Sequence, residues 1–173
     1  MRWSFLLLMM PVWGCDAESP KGGKSSDKAP DFSLEDVNPS SATFGASISP
    51  RDKEGSVSVW YFGHSDCPVC STYFGELDVM QQRLIDEGYD IDIIGINGID
   101  KEEQNDEITE GRDLPWLQDT AEDDVWTNWL AERRDLVVLD PDNNLAWRQN
   151  LTGFDITVEA NANYIFDEIV AVE

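Results

Sequence analysis

The chain contains one Cys-X-X-Cys motif, and the position of this motif constrains the fold more than any other feature. Cys67-Pro68-Val69-Cys70 follows an apolar, β-branched run at residues 57–62. It opens a segment, residues 68–87, in which apolar side chains recur at helical spacing until Gly88, a typical helix stop. A buried strand that leads directly into a CxxC at the start of a helix predicts an α/β domain.

The rest of the chain continues this alternation of strands and helices. Short apolar runs predict further strands at 91–96, 115–117, 136–139 and from Leu145 onward. Helical spacing predicts helices at 101–110, 122–130 and 157–172. Four apolar residues are expected on one side of the helix at 122–130: Val125, Trp126, Trp129 and Leu130. This order predicts a layered α/β sheet covered by helices, with a hairpin turn at residues 140–144.

The composition excludes several classes of function. The 173 residues include 12 Lys+Arg and 35 Asp+Glu, a formal net charge of −23, so a phosphate-binding surface for nucleic acid is not expected. One histidine rules out a site with two histidine ligands. Three cysteines are too few for a four-thiolate zinc site or a disulfide-rich scaffold. We therefore expect no metal and no cofactor.

The N-terminus predicts export. Residues 1–14 carry one arginine and an apolar run of roughly ten residues, which is typical of a secretory signal and too short to span a membrane. The run ends in Val12-Trp13-Gly14-Cys15, which resembles the lipobox of bacterial lipoproteins, although Trp13 stands where a small residue is usual. This resemblance implies a lipid on the Cys15 thiol. The alternative is an ordinary signal peptide with an incidental cysteine.

The sequence divides into three segments: a signal at 1–14, a flexible tether at 15–29 and a folded domain at 30–173. The folded segment holds 8 basic and 32 acidic residues, a net charge of −24. Because such a domain repels anionic lipid, the Cys15 lipid is the expected membrane anchor. We expect the mature protein in the cell envelope of a bacterium, on the periplasmic or outer surface.

The CxxC motif predicts redox chemistry. A thiolate at a helix N-terminus faces unpaired N–H groups and the positive end of the helix dipole, which favour its charge. Pro68 suits the first helical turn, where no N–H is needed. Cys67 is expected to be the exposed nucleophile, and Cys70, one turn inside on the apolar face, the buried resolving thiol. A structural disulfide and half of a metal site are the alternatives.

Four charged or titratable residues are candidates for a supporting role. His64 could stabilise a Cys67 thiolate or carry protons, or be an ordinary exposed loop residue. Asp66 places a carboxylate beside Cys67 and is expected to oppose its thiolate. Arg133 and Arg134 are a rare basic pair in an acidic domain. They could favour the thiolate or attract an anionic substrate, although ordinary ion pairs with the many acidic residues are the simpler expectation.

The stretch from Ala29-Pro30-Asp31-Phe32-Ser33-Leu34 to Trp147 resembles the thioredoxin-like superfamily, particularly its exported thiol–disulfide oxidoreductase and peroxiredoxin-type branches. The strand at 59–63 and the CxxC carry most of this resemblance. A closer likeness, to the N-terminal domain of selenoprotein P, rests on segments 96–99, 114–118, 124–126 and 136–140. The resemblance implies a three-layer fold with a mixed central sheet, and it aligns Cys67 with selenocysteine and Cys70 with its partner.

The resemblance has several departures that bear on function, one of which is that Asp66 stands where a tryptophan commonly precedes the first cysteine. Thioredoxins place a cis-proline before the strand that corresponds to 136–139, whereas this chain has Arg133-Arg134-Asp135 there. Peroxiredoxins have a threonine three residues before the reactive cysteine and an arginine downstream, and here His64 takes the threonine position. Copper-delivery relatives have a CxxxC and a distant histidine, and this chain has neither.

The leading hypothesis is an exported, membrane-tethered thiol–disulfide oxidoreductase that acts on protein or small-molecule thiols and disulfides. One alternative is a thiol peroxidase with Cys67 peroxidatic and Cys70 resolving. Another is a non-catalytic binding module on a thioredoxin-like scaffold.

Overall fold

The computed structural model describes residues 28–173. The predicted signal at 1–14, the lipidation site Cys15 and all but the last two residues of the tether at 15–29 lie outside this part. Within residues 28–173, no helix is both long enough and apolar enough to span a membrane.

In residues 28–173, five strands form one mixed sheet: β3 (Val57–Gly63), β4 (Ile91–Asn97), β5 (Trp116–Gln118), β6 (Asp135–Leu139) and β7 (Leu145–Asn150). Their order across the sheet is β5-β4-β3-β6-β7. Strands β3, β4 and β5 are parallel, whereas β6 is antiparallel to β3 and β7 is antiparallel to β6. The described domain is therefore the α/β fold with a mixed central sheet that the sequence predicts.

Four helices accompany the sheet: α1 (Pro68–Glu87), α2 (Asn105–Thr109), α3 (Val125–Asn128) and α4 (Glu159–Val170). Single 3-10 turns occur at Pro50–Lys53, Glu102–Gln104 and Leu151–Gly153. Helix α1 has the bounds that the sequence predicts because its ends are locally encoded. Pro68 begins it without the loss of a hydrogen bond, and Gly88 ends it with a left-handed φ of 87°.

Strand β3 is the centre of the fold because both of its faces are buried. Val59 and Tyr61 belong to the core that also contains the inner face of α1 and residues of α4. Trp60 and Phe62 belong to a second core on the other face, and the rings of both contact Trp129. Trp60 also packs against Phe32. Burial on both faces explains why this strand reads as a continuous apolar run.

Three helices are shorter than the sequence predicts, α2 and α3 by half or more and α4 by two residues at each end. The region 122–130 contains only α3, because the buried carboxylate of Asp119 accepts the N–H groups of Val125 and Trp126 and so fixes where the helix begins. The predicted placement of Leu130 on the inner side is wrong. Its φ of 50° ends the helix, and its side chain is 80% exposed. The region 101–110 divides into a 3-10 turn and α2.

A small antiparallel hairpin was not predicted. It consists of β1 (Leu34–Glu35) and β2 (Ser47–Ile48), and each strand is too short to show an alternating pattern. The hairpin is attached to the sheet through Asp36, whose fully buried carboxylate accepts the N–H of Trp116 at 3.0 Å and the hydroxyl of Thr43 at 2.7 Å.

Candidate redox site

Cys67 and Cys70 lie where β3 ends and α1 begins, and both are free thiols. Cys67 is the N-cap residue of α1, and its Sγ accepts the backbone N–H of Cys70 at 3.3 Å. Its own N–H donates to the carbonyl of His64 at 3.1 Å. Pro68 is the exposed first residue of the helix, as predicted. The sulfur of Cys67 therefore occupies the place where a helix N-terminus favours negative charge.

Both cysteines are buried, so the prediction that Cys67 is exposed is wrong. Cys67 is 9% exposed and Cys70 is fully buried. The reason is the turn that precedes the motif. The carbonyl of His64 accepts the Cys67 N–H, and the N–H of Ser65 donates to the side chain of Asn97 at the end of β4. This turn is held against the sheet, and the Cys67 side chain lies in the core that contains α1.

The two thiols differ in their surroundings. Burial, reinforced by the hydrogen bond with Cys67, raises the pKa of the Cys70 thiol to about 11. Cys70 is therefore protonated at neutral pH, whereas Cys67 lies nearer the surface at the helix N-terminus. The division into an attacking Cys67 and a resolving Cys70 stays a prediction, and it uses this difference between the two thiols.

Asp66 has a partner that the sequence did not single out. The ammonium of Lys101 lies 2.6 Å from its carboxylate, and this hydrogen bond lowers the pKa of Asp66. The adjacent cation offsets the negative charge that was expected to oppose a Cys67 thiolate.

His64 is half-buried rather than an exposed loop residue. Its ring lies 4.8 Å from the ring of Trp126, and its Nδ1 lies 4.0 Å from Asp66 Oδ1. Burial lowers the pKa of His64 although Asp66 opposes the shift. At neutral pH the imidazole is therefore uncharged, and it supplies no positive charge to Cys67.

Arg133 and Arg134 precede β6, beside the end of β3. The N–H of Arg134 donates to the carbonyl of Phe62 at 2.7 Å, and its Nε donates to Thr152. The expectation of ordinary ion pairs is wrong, since within residues 28–173 no carboxylate lies within 4.0 Å of either guanidinium. Arg133 lies close enough to His64 and Asp66 to lower the pKa of both side chains.

Two further residues at the site were not singled out from the sequence. Tyr61, on β3, directs its hydroxyl at Cys70. Asn97 ends β4 and is fully buried; its Oδ1 accepts the N–H groups of Ser65 and Gly98, and its Nδ2 donates to the carbonyl of Lys101. A polar residue at the end of an apolar strand is the signal that could have identified Asn97.

The described residues contain no group of three or more His, Cys, Asp or Glu side chains that could hold a metal ion. No cis peptide bond occurs between residues 28 and 173, and the Arg133-Arg134 loop stands where thioredoxins have their cis-proline.

The part of the chain that contains this site matches a known protein family. The sequence profile of the AhpC/TSA family matches residues 25–148, which include the CxxC and the arginine pair. The chain belongs to the AhpC/TSA family. Among curated protein sequences, no relative matched the chain.

Several solved structures share the fold. A proposed protein disulfide isomerase from Bacteroides thetaiotaomicron is 21% identical, with a TM-score of 0.63 over 84% of this chain and 87% of that one. The thioredoxin domain of a thiol-disulfide oxidoreductase from Bacteroides vulgatus is 17% identical, with a TM-score of 0.61 over 83% and 96% of the two chains. Copper-bound ScoI from Arabidopsis thaliana is also 17% identical, with a TM-score of 0.61 over 84% and 99%. At these identities the likeness establishes a thioredoxin-like fold.

Proposed function

We propose that this AhpC/TSA family member is a thiol–disulfide oxidoreductase that acts on protein or small-molecule thiols and disulfides. The observation that carries the proposal is the asymmetric pair of free thiols at the start of α1. The Cys67 sulfur caps the helix, and the Cys70 sulfur lies one turn deeper and is protonated at neutral pH. The names of structures with the same fold, a disulfide isomerase and a thiol-disulfide oxidoreductase, agree with it.

The exchange proceeds in two steps. The Cys67 thiolate attacks one sulfur of a substrate disulfide, the substrate S–S bond breaks, and the first substrate thiolate leaves. The Cys70 sulfur then attacks Cys67 Sγ, which releases the second substrate thiolate and forms the Cys67–Cys70 disulfide. Two electrons pass from the cysteine pair to the substrate, and the two departing thiolates take up the protons that the cysteines release. Oxidation of a substrate dithiol is the same sequence in reverse.

Two cysteine variants test the proposal. Cys67→Ser is expected to abolish exchange with a protein disulfide, whereas Cys70→Ser is expected to accumulate a mixed disulfide on Cys67 that mass spectrometry detects. Full exchange activity in Cys67→Ser would rule out the proposed mechanism. A Cys67–Cys70 potential below about −300 mV would instead support the non-catalytic binding module.

We further propose that the protein is exported and tethered in a bacterial cell envelope through a lipid on Cys15, as its N-terminal sequence indicates. Expression of the full chain in bacteria with labelled palmitate is expected to label wild-type protein and not Cys15→Ala. The likeness to the selenoprotein P domain is likewise part of the proposal and predicts that selenocysteine at position 67 supports exchange.

A thiol peroxidase is the second candidate, favoured by membership of the AhpC/TSA family together with Arg134 beside the end of β3, whose guanidinium has no carboxylate within 4.0 Å among residues 28–173. In this reaction Cys67 reduces a hydroperoxide to an alcohol and becomes a sulfenic acid, and Cys70 then displaces water to form the disulfide. Peroxide consumption by the reduced protein, compared with free cysteine at equal concentration, distinguishes the two. A rate no higher than that of free cysteine excludes the peroxidase.

A further inference from the structure

Tyr61 places a hydroxyl in the core directly beneath the CxxC motif. The side chain is fully buried, and its ring is stacked on Phe74 with centroids 6.4 Å apart and an interplanar angle of 14°. Its neighbour Gly63 leaves room for the ring, since a Cβ there would lie 2.8 Å from Tyr61 Cε1. The hydroxyl donates to the Cys70 carbonyl at 3.3 Å and also interacts with the Cys70 thiol.

The Cys70 thiol needs a stabilising partner when it reacts. With a pKa of about 11, only about one Cys70 in ten thousand is a thiolate at pH 7. Burial and the neighbouring Cys67 disfavour the thiolate, whereas the His64 backbone and the Tyr61 hydroxyl favour it. Of these groups, Tyr61 is the side chain that can donate a strong O–H hydrogen bond to sulfur inside the core.

We propose that Tyr61 is a further catalytic residue of the exchange reaction, whose hydroxyl donates a hydrogen bond to the Cys70 sulfur as it becomes a thiolate. This inference rests on the function proposed above. The proposed change is a turn of the Tyr61 O–H from the Cys70 carbonyl, its present acceptor, to the sulfur of the same residue.

The step balances without a further reactant. In the mixed disulfide, the proton of Cys70 passes to solvent, Cys70 Sγ bonds to Cys67 Sγ, and the bond between Cys67 and the substrate sulfur breaks. The departing substrate thiolate takes a proton from solvent. Tyr61 keeps its own proton throughout, because burial and the adjacent thiols hold its pKa well above that of an ordinary tyrosine. In the reverse direction the same hydrogen bond stabilises Cys70 as the leaving thiolate.

An aromatic disulfide that releases a coloured thiol separates the two steps in a stopped-flow experiment with the reduced full chain. Attack by Cys67 releases one coloured thiol at a rate that depends on probe concentration. Attack by Cys70 releases the second at a rate that does not. Absence of the second phase in Cys70→Ser verifies this assignment.

The decisive variant is Tyr61→Phe, which removes the hydroxyl and keeps the ring. Loss of the hydrogen bond is expected to raise the pKa of Cys70 by about one unit, which lowers the thiolate fraction about tenfold. The remaining thiolate is about threefold more nucleophilic, so the second phase slows roughly threefold at neutral pH. The first phase stays unchanged, and the midpoint of the pH profile of the second phase moves up by about one unit, together with the Cys70 pKa.

Tyr73→Phe is the matched control, because Tyr73 is a nearby, largely buried tyrosine of α1 whose hydroxyl bonds to Asp155. It is expected to leave both phases unchanged. A second phase of wild-type rate in Tyr61→Phe overturns the inference. So does an equal slowing of both phases, which indicates a structural role. Absence of both phases in the wild-type protein instead refutes the proposed function itself.

Discussion

Replacement of Asn97 by alanine tests whether one buried amide holds the turn that presents Cys67. The amide accepts two backbone N–H groups, from Ser65 at 3.0 Å and Gly98 at 2.9 Å. Its Nδ2 lies 2.9 Å from each of three acceptors, the Lys101 carbonyl, Asn105 Oδ1 and Gln118 Oε1, which share its two N–H groups. The truncation leaves the buried N–H of Ser65 without its acceptor.

The magnitude follows from which of these groups stay unsatisfied. A buried polar group left without a partner costs about 1–3 kcal/mol. Asn105 and Gln118 keep a hydrogen bond to each other, at 3.1 Å, so their loss is smaller. We therefore expect Asn97→Ala to lower the free energy of unfolding by about 2–4 kcal/mol, mostly through the N–H groups of Ser65 and Gly98.

Urea unfolding followed by tryptophan fluorescence measures this loss, and alkylation of Cys67 measures the loosening of the turn. Asn97→Ala is expected to shift the urea midpoint and to increase the rate at which Cys67 is modified. Asn163→Ala is the control, since this exposed asparagine of α4 accepts a hydrogen bond from the Arg83 guanidinium, and its truncation should change stability by less than about 0.5 kcal/mol. A loss below about 1 kcal/mol for Asn97→Ala, with unchanged Cys67 reactivity, would refute the reasoning.

Three other changes have defined outcomes. Iodoacetamide at pH 7 should modify Cys67 before Cys70, and equal labelling of both contradicts the assignment. Cys70 labelling, located by fragmentation in a mass spectrometer, should rise about hundredfold between pH 7 and pH 9 in the wild-type protein, since the pKa of Cys70 is about 11. The raised pKa of Cys70 also contributes stability to the reduced fold. This contribution is full below the pKa of the unfolded thiol, about 8.5, and is lost as pH rises through about 11. Over that range the urea midpoint should therefore fall less steeply in Cys70→Ala than in the wild-type protein. Lys101→Ala should raise the pKa of Asp66 in a carboxyl NMR titration and slow the Cys67 phase, while the free energy of unfolding changes by less than about 1 kcal/mol; an unchanged Asp66 titration would contradict the ion pair.

The elements that the sequence predicted well are those with local signals. Helix α1 has Pro68 and Gly88 at its ends, and β3 is apolar apart from the buried Ser58, so their bounds follow from neighbouring residues. The predicted helix at 122–130 is longer than α3, because the start of α3 depends on Asp119. The Asp119 carboxylate accepts the first N–H groups of the helix, and apolar spacing gives no sign of this contact. Leu130 fits the helical pattern, but its left-handed backbone removes it from the apolar face.

The sequence predicted where the two cysteines lie in the fold, but it did not predict their surroundings. The CxxC, its place at the helix start and the burial of Cys70 follow from spacing. The partners of these residues come from distant parts of the chain: Lys101 reaches Asp66 across 35 positions, and Asn97 reaches Ser65 across 32. Tyr61 is close in sequence to Cys70, but an apolar strand pattern treats its ring as core and gives no information about its hydroxyl.

The distribution of charge at the site differs from that of the domain around it. The folded segment is acidic overall, with a net charge of −24, yet Arg133 and Arg134 beside the end of β3 lack carboxylate partners within 4.0 Å in the described structure. At physiological ionic strength the Debye length is about 8 Å, so distant acidic residues are largely screened from a molecule in contact with Cys67. Arg133 acts on the site at short range, because it lies close enough to His64 and Asp66 to lower the pKa of both side chains. Domain charge therefore acts mainly on long-range approach, whereas the arginine loop supplies positive charge next to the candidate site.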